Sequence, residues 1–499
     1  MNDLRSRVVS GLAWKGASQI FLQVSRLGVA VLLARLLAPE QYGLALMALV
    51  VATLVLVFSD LALGAALVQR KTLTEEDRST VFWTALCAGA LFTLVGIAAS
   101  GPIASFYGKP EVKPLVAVLS LSFVITSLGT TQSALLTREL SFRSLELRLM
   151  GGTLAGAVVG IGAAAAGAGA WAIILQQLAI SCVSTVLLWL VSPWRPRFVF
   201  SLASLRELGG FSGAVFGQRL LYYLHANVDK LLVGRVLGSA ALGVYGLAYS
   251  IVAVPFSRLA VPIAEVLFPA FSRLQDDRRL LADSWLRASR LVAAVSMPAL
   301  VGLAAVAPDF VEVVLGERWR PIVPVVQILA WVGLLQSLQT LNGPLLQAVD
   351  RTGTLLRYSL FFFVAHVTAF VIGIQFGIVG IAAAYAISTT IVEPVFAMLT
   401  ARAIGVAVTA FAWAFRGVAL AAAGCGAAAL LTGRLLTEGG IPPGPRLVVE
   451  IAAGAAAYLG LVVFAAPEVR TELARLRRRR RYEAGTTSIA ASSGSSTAP

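Results

Sequence analysis

VVSGLAWKGASQIFLQVSRLGVAVLLARL, residues 8–36, is apolar enough to cross a bilayer, yet it carries Lys15, Gln19 and Arg26. Spacings of four and seven stack these side chains on one helix face, with Ser18 and Ser25 beside them. A charge at mid-membrane costs about 2.5–3.5 kcal/mol on insertion scales, so intramembrane cations normally face a wet cavity. The stripe therefore predicts a helix with one cationic face open to something anionic. Two blander readings stand beside it: Lys15 snorkels to the membrane surface, and Arg26 pairs with an acid on a neighbouring helix.

The rest of the chain fits this beginning. Its 499 residues are 58% hydrophobic and 13% charged, with mean hydropathy +0.84. That composition predicts an all-α polytopic membrane protein. Apolar stretches of about 20 residues, separated by charged or Pro/Gly breaks, give about 14 spans. The first is too long for a cleaved signal peptide and is expected to remain. With the N-terminus in the cytoplasm, 26 basic residues fall on that side and 8 on the other. This bias places both termini in the cytoplasm and requires an even number of spans. The RRRRRY run at 477–482 lies just beyond the last span, where anionic lipid headgroups explain it better than nucleic acid does. The Ser/Thr/Ala/Gly-rich end reads as disordered. Cys87, Cys182 and Cys425 fall in apolar spans and are expected to be small buried hydrophobes. Two histidines make a histidine-based metal site improbable.

The sequence also repeats. LLARLLAPEQYGLALMA at 32–48 aligns with LVGRVLGSAALGVYGLA at 232–248, with Arg35 on Arg235 and Gly43 on Gly243. Pro114, Ser127, Thr130 and Gly167 recur as Pro324, Ser337, Thr340 and Gly377. Two six-span repeats of like orientation follow, at 1–206 and 207–405. Two further spans at 406–468 and a basic, then disordered, tail at 469–499 complete the chain. In parallel-repeat transporters the substrate site lies between the halves.

The run from GLAWKGASQIF through LVQR (11–70), with HANVDKLLVGRVLGSAALGVYGLAYS (225–250) and PFSRLAVPIAEVLFPAFSRLQDD (255–277), resembles bacterial lipopolysaccharide and exopolysaccharide exporters of the colanic-acid-exporter type. These belong to the multidrug/oligosaccharidyl-lipid/polysaccharide (MOP) flippase superfamily. The resemblance implies a V-shaped pair of six-helix lobes that flips an undecaprenyl-diphosphate-linked oligosaccharide across the bacterial inner membrane. It implies no cofactor beyond a coupling H+ or Na+, and as partners the lipid-linked oligosaccharide, membrane lipids, a polysaccharide polymerase and a chain-length regulator.

The remaining intramembrane charges suit that cargo. Gln218, Tyr222, His225 and Asp229 recur along one helix face, with Arg219 and Lys230 at its sides. Arg258 and Glu265 are seven apart beside Pro255 and Pro262, which are expected to interrupt the eighth span. The cations exceed the acids, and arginine's planar fork matches phosphate. Lys15, Gln19, Arg26, Arg219 and Arg258 are the candidate substrate contacts. Asp229, His225, Glu265 and Asp60 are candidates for the coupling ion, although Asp60 and Asp229 also read as structural partners of buried cations. Gln336, Gln339 and Asn342 either bind sugar hydroxyls or join helices. A polymerase or ligase is disfavoured by short loops and the lack of a catalytic constellation. A cationic-drug exporter is disfavoured by the positive excess. A flippase of the lipid-linked peptidoglycan precursor stays open as a third cargo reading.

Overall fold

The computed structural model describes residues 2–59, 64, 67, 68, 70, 72–209 and 212–466, and among them every regular element is helical. Among the described residues, eight stretches are long and apolar enough to cross a membrane, and a bent pair makes a ninth. One of the eight, Thr352–Ile404, holds two helices packed on each other. Helices at the expected first, second, seventh and eighth spans complete a pattern consistent with 14. Contacts divide the chain at Gly246 and Leu247, within one helix.

In the first unit the helices are α1 (Asn2–Leu36), α2 (Pro39–Ser59), α3 (Glu75–Tyr107), α4 (Val112–Leu119), α5 (Leu121–Ser127), α6 (Thr130–Arg138), α7 (Phe142–Ala165), α8 (Trp171–Val191), α9 (Leu202–Gly209), α10 (Ser212–Val236) and the start of α11 (Gly238–Arg273). A capping box starts α3: Asp77 N–H donates to Thr74 Oγ1 at 3.1 Å, and Thr74 N–H to Asp77 Oδ2 at 3.0 Å. Gly108, at φ 64°, ends it. The fourth span bends by 41° between Ser127 and Thr130. Near the bend, Thr185 Oγ1 donates to the Ile125 carbonyl at 3.0 Å and Trp189 Nε1 to that of Leu128 at 2.9 Å. Side chains of α8 thus replace lost helical bonds where water is scarce.

Close approach of backbones organises this unit. Gly152, Gly156 and Gly160 form a stripe on α7, and a Cβ on any of them would press into Ser184, Ile180 or Gln176 of α8. The repeated segments also meet here. A Cβ at Gly43 would overlap the Ser239 carbonyl, and one at Gly243 would overlap the Pro39 carbonyl. Ser239 is the repeat equivalent of Pro39, so the contact is reciprocal, as a local two-fold axis requires.

The second unit takes the remainder of α11, then α12 (Arg278–Phe310), a π-helical turn (Val311–Leu315), α13 (Ile322–Gln339), α14 (Asn342–Ala348), α15 (Thr352–Gly373), α16 (Gly377–Ile404), α17 (Val408–Ala414), α18 (Arg416–Glu438) and α19 (Pro443–Ala465). The expected interruption of the eighth span does not occur. α11 runs as one helix of 36 residues through Pro255 and Pro262, because membrane helices tolerate the loss of a single backbone bond at proline. Two other prolines, Pro298 and Pro308 of α12, lie four residues beyond Ala294 and Ala304. The carbonyls they release accept from Tyr458 of α19, at 2.5 Å, and from Gln327 of α13, at 3.1 Å. The last two spans, α18 and α19, pack on each other and on α12. Only Cys425 of the three cysteines is buried. Cys87 and Cys182 are exposed, since a small apolar residue suits lipid as well as a core.

Candidate functional site

Both described members of the α1 stripe, Gln19 and Arg26, are exposed. Ser18, one residue round the helix, is 1% exposed and donates to a Glu146 carboxylate oxygen on α7. Leu22, Val29 and Leu33 continue that buried edge. Spacing dictates the split: residues 18, 22, 29 and 33 share the buried side of a helix that packs on α7, while 19 and 26 lie on the adjoining exposed strip. Just before Lys15, Trp14 receives the guanidinium of Arg143, 5.3 Å from its ring centroid. Nothing in the stripe's spacing pointed to Glu146. The available signal was a lone acid in the helix that follows Arg143.

Asp229 lies on α10 and is 3% exposed. Tyr245 of α11 donates its hydroxyl to Oδ2 at 2.9 Å, and the Lys230 backbone N–H donates to Oδ1 at 2.8 Å. Lys230 Nζ donates to the Ala226 carbonyl at 2.7 Å and to Asn227 Oδ1 at 3.2 Å. Nearly two turns before Asp229, Tyr223 donates to the Val50 carbonyl and ties α10 to α2. Asp229 therefore sits in a solvated-by-protein niche, with a donor on each oxygen.

The other named positions divide into two groups. Asp60 lies outside the described residues. The helices carrying Lys15, Arg219, His225, Arg258 and Glu265 are described, but those five side chains lie outside the described set. In the second unit, the polar residues of α13 and α14 join helices. Asn342, 0% exposed, accepts from Trp285 Nε1 at 3.1 Å and donates to Gln339. Gln336 donates to the Tyr385 hydroxyl at 2.8 Å. His366 is committed at both ring nitrogens, to the Phe362 carbonyl at 2.8 Å and Thr389 Oγ1 at 3.2 Å. Glu393 of α16 is buried, with the Tyr358 hydroxyl 3.4 Å away. Arg416 stacks over Trp413, 5.3 Å from its centroid, at the start of α18.

Residues 32–324 match the family described as polysaccharide biosynthesis protein. The chain is 32% identical to the lipopolysaccharide biosynthesis protein WzxC of Escherichia coli (strain K12), over 76% of this chain and 78% of that one. It is 29% identical to the teichuronic acid biosynthesis protein TuaB of Bacillus subtilis (strain 168), over 95% of this chain and 99% of that one. Among solved structures, the lipid II flippase MurJ in an inward closed conformation superposes with a TM-score of 0.73. It covers 91% of this chain and 99% of its own, at 15% identity, which is a likeness of fold. The chain is a multi-pass membrane protein of the polysaccharide biosynthesis protein family.

Proposed function

We propose that this chain is an inner-membrane flippase that carries undecaprenyl-diphosphate-linked oligosaccharide units for surface polysaccharide assembly, by alternating access and without covalent catalysis. Both termini are cytoplasmic in this reading, and the chain divides into repeats at 1–206 and 207–405 with the appended spans at 406–468. A polymerase and a chain-length regulator act on the cargo after it. The observation that carries the proposal is that a chain whose relatives are named for polysaccharide biosynthesis has the fold of a lipid flippase along 91% of its length. The exposed strip of α1 supports it: Arg26 and Gln19 are exposed on a helix whose other side buries Ser18, Leu22, Val29 and Leu33, and an arginine there suits a diphosphate. Lys15, Arg219 and Arg258 are assigned to the same anion chemistry on the basis of residue type. Coupling to a proton or sodium gradient is assigned to Asp229, with His225, Glu265 and Asp60 as the other carriers.

The test is transport in proteoliposomes loaded with labelled lipid-linked oligosaccharide. Losing a hydrogen bond to a charged group costs about 1.5–3 kcal/mol, so Arg26→Ala should slow flipping about 10- to 100-fold. Arg26→Lys should restore part of it, because the ammonium lacks the fork. Wild-type flux in Arg26→Ala would remove Arg26 from the cargo site. Transport of the peptidoglycan precursor in preference to the polysaccharide unit would overturn the cargo assignment.

A further inference from the structure

The contact between α12 and α19 contains a charged cluster with no part in the cargo reading. Asp309 lies between Pro308 and the π-helical turn, in a helical distortion of the kind often found at functional sites. It is 5% exposed, and its two oxygens accept from Nε and Nη2 of Arg446 on α19, a two-pronged pairing. Arg446 Nη1 donates to Thr437 Oγ1 of α18 at 2.9 Å. One turn beyond Arg446, Glu450 is 6% exposed and lies against Asp309. Its Oε1 packs against Gly433, where an added Cβ would overlap it. Its Oε2 is buried without a hydrogen-bond partner. Val306, Ala429 and Leu447 form an apolar cluster on the same three helices. Glu312, also facing Arg446, is exposed and solvated.

Charge counting decides what this arrangement holds. Two buried carboxylates face one guanidinium, and the guanidinium is already spent on Asp309. A second carboxylate would be an uncompensated buried charge, which costs several kcal/mol after relaxation. Two acids sharing a site resolve this by sharing a proton. We propose that Asp309 and Glu450 are a proton-binding site: one proton sits on Glu450 Oε2 and is donated to Asp309, whose oxygens each keep a free lone pair. The proton satisfies the orphaned oxygen and balances the charge in one step. A sodium ion would have to sit beside the Arg446 cation, which repels it. The site ties the last two spans to α12, and its release leaves two carboxylates on one guanidinium in that joint.

The experiment uses full-length protein in lipid nanodiscs and infrared spectroscopy of carboxyl groups near neutral pH, with and without sodium. A protonated-carboxyl C=O band is expected in the wild type. It should be lost in Glu450→Gln, whose amide keeps the shape and donor of the protonated acid, and lost also in Asp309→Asn, which leaves Glu450 free to ionise and pair with Arg446. Sodium should leave it unchanged. If Glu450→Gln does not fold, isotope-labelled glutamate in the wild type reads the same band directly. Finding no glutamate band assignable to Glu450, or a band that sodium abolishes, overturns the proposal. The spectrum is read without cargo, so its outcome is separate from that of the transport assay.

Discussion

Asp229 and Glu450 are both acids buried in membrane-spanning helices, and their surroundings are completed in opposite ways. Asp229 has the Tyr245 hydroxyl on one oxygen and a backbone N–H on the other. Glu450 has a second acid for a neighbour and an oxygen with no donor at all. Burial alone says the same of both, 3% and 6% exposed. The partner inventory separates them. A carboxylate with two donors can stay charged at modest cost, whereas one facing another carboxylate must acquire something. The two regions therefore make different demands on mutation, and these can be ranked.

The largest effect is expected at the acid pair. Asp309→Ala strands the Arg446 guanidinium, 13% exposed at its side chain, beside a lone Glu450. Breaking a buried pair by deleting one partner costs about 3–5 kcal/mol. Glu450 can then lose its proton and take over Arg446, so the measured loss in thermal unfolding should fall at the lower end. Replacing both residues, Asp309→Ala with Glu450→Ala, should be worse than either change alone. If the double variant is as stable as the wild type, the cluster contributes nothing and the contrast with Asp229 collapses.

At Asp229 the expected effect is smaller. Tyr245→Phe removes one of two donors and leaves a buried carboxylate oxygen unpaired, at about 1–3 kcal/mol. Asp229→Asn in the Tyr245→Phe background should recover part of this, because a neutral amide needs less compensation. Unfolding of the two variants in one detergent or nanodisc system checks the order. A Tyr245→Phe loss as large as that of Asp309→Ala would show that Asp229 is no better provided for than Glu450.

Much of this architecture was legible in the residues. Apolar stretches and their breaks marked the spans, and the repeat aligned Gly43 with Gly243, although that these two segments touch was visible only in the structure. The α1 stripe was legible because charge inside an apolar run is a strong signal. It could not separate Gln19 and Arg26, which are exposed, from Ser18, which docks on α7, because a tilt of one residue decides that split. Partners distant in sequence were not legible. Glu146 lies 128 residues from Ser18, and Arg446 lies 137 from Asp309. At the sequence level Arg446 counted as one basic residue outside the membrane, with nothing to show that an acid at the far end of another span would engage both its prongs. The prolines misled for the opposite reason. Pro255 and Pro262 suggested a broken helix, but a break depends on whether neighbours and the local winding absorb one missing bond, and that is a tertiary property.

The smallest predicted effect carries the same question of completion from side chains to the backbone. Pro298 has no N–H, so the Ala294 carbonyl loses its helical donor, and Tyr458 of α19 supplies one at 2.5 Å. In lipid no water can take over. Tyr458→Phe should therefore cost about 0.5–1.5 kcal/mol, the net worth of one such hydrogen bond. Packing lost with the hydroxyl would give a similar number, so the single variant does not isolate the cause. Pro298→Ala does, because it restores an N–H to the helix and gives Ala294 its ordinary donor. In that background Tyr458→Phe should cost little, and the double-mutant cycle should show a coupling of about 0.5 kcal/mol or more. Additive effects would mean that the tyrosine is held by packing and that the proline-freed carbonyl tolerates exposure. In that event an unpartnered oxygen is cheaper in this protein than the contrast between Asp229 and Glu450 requires.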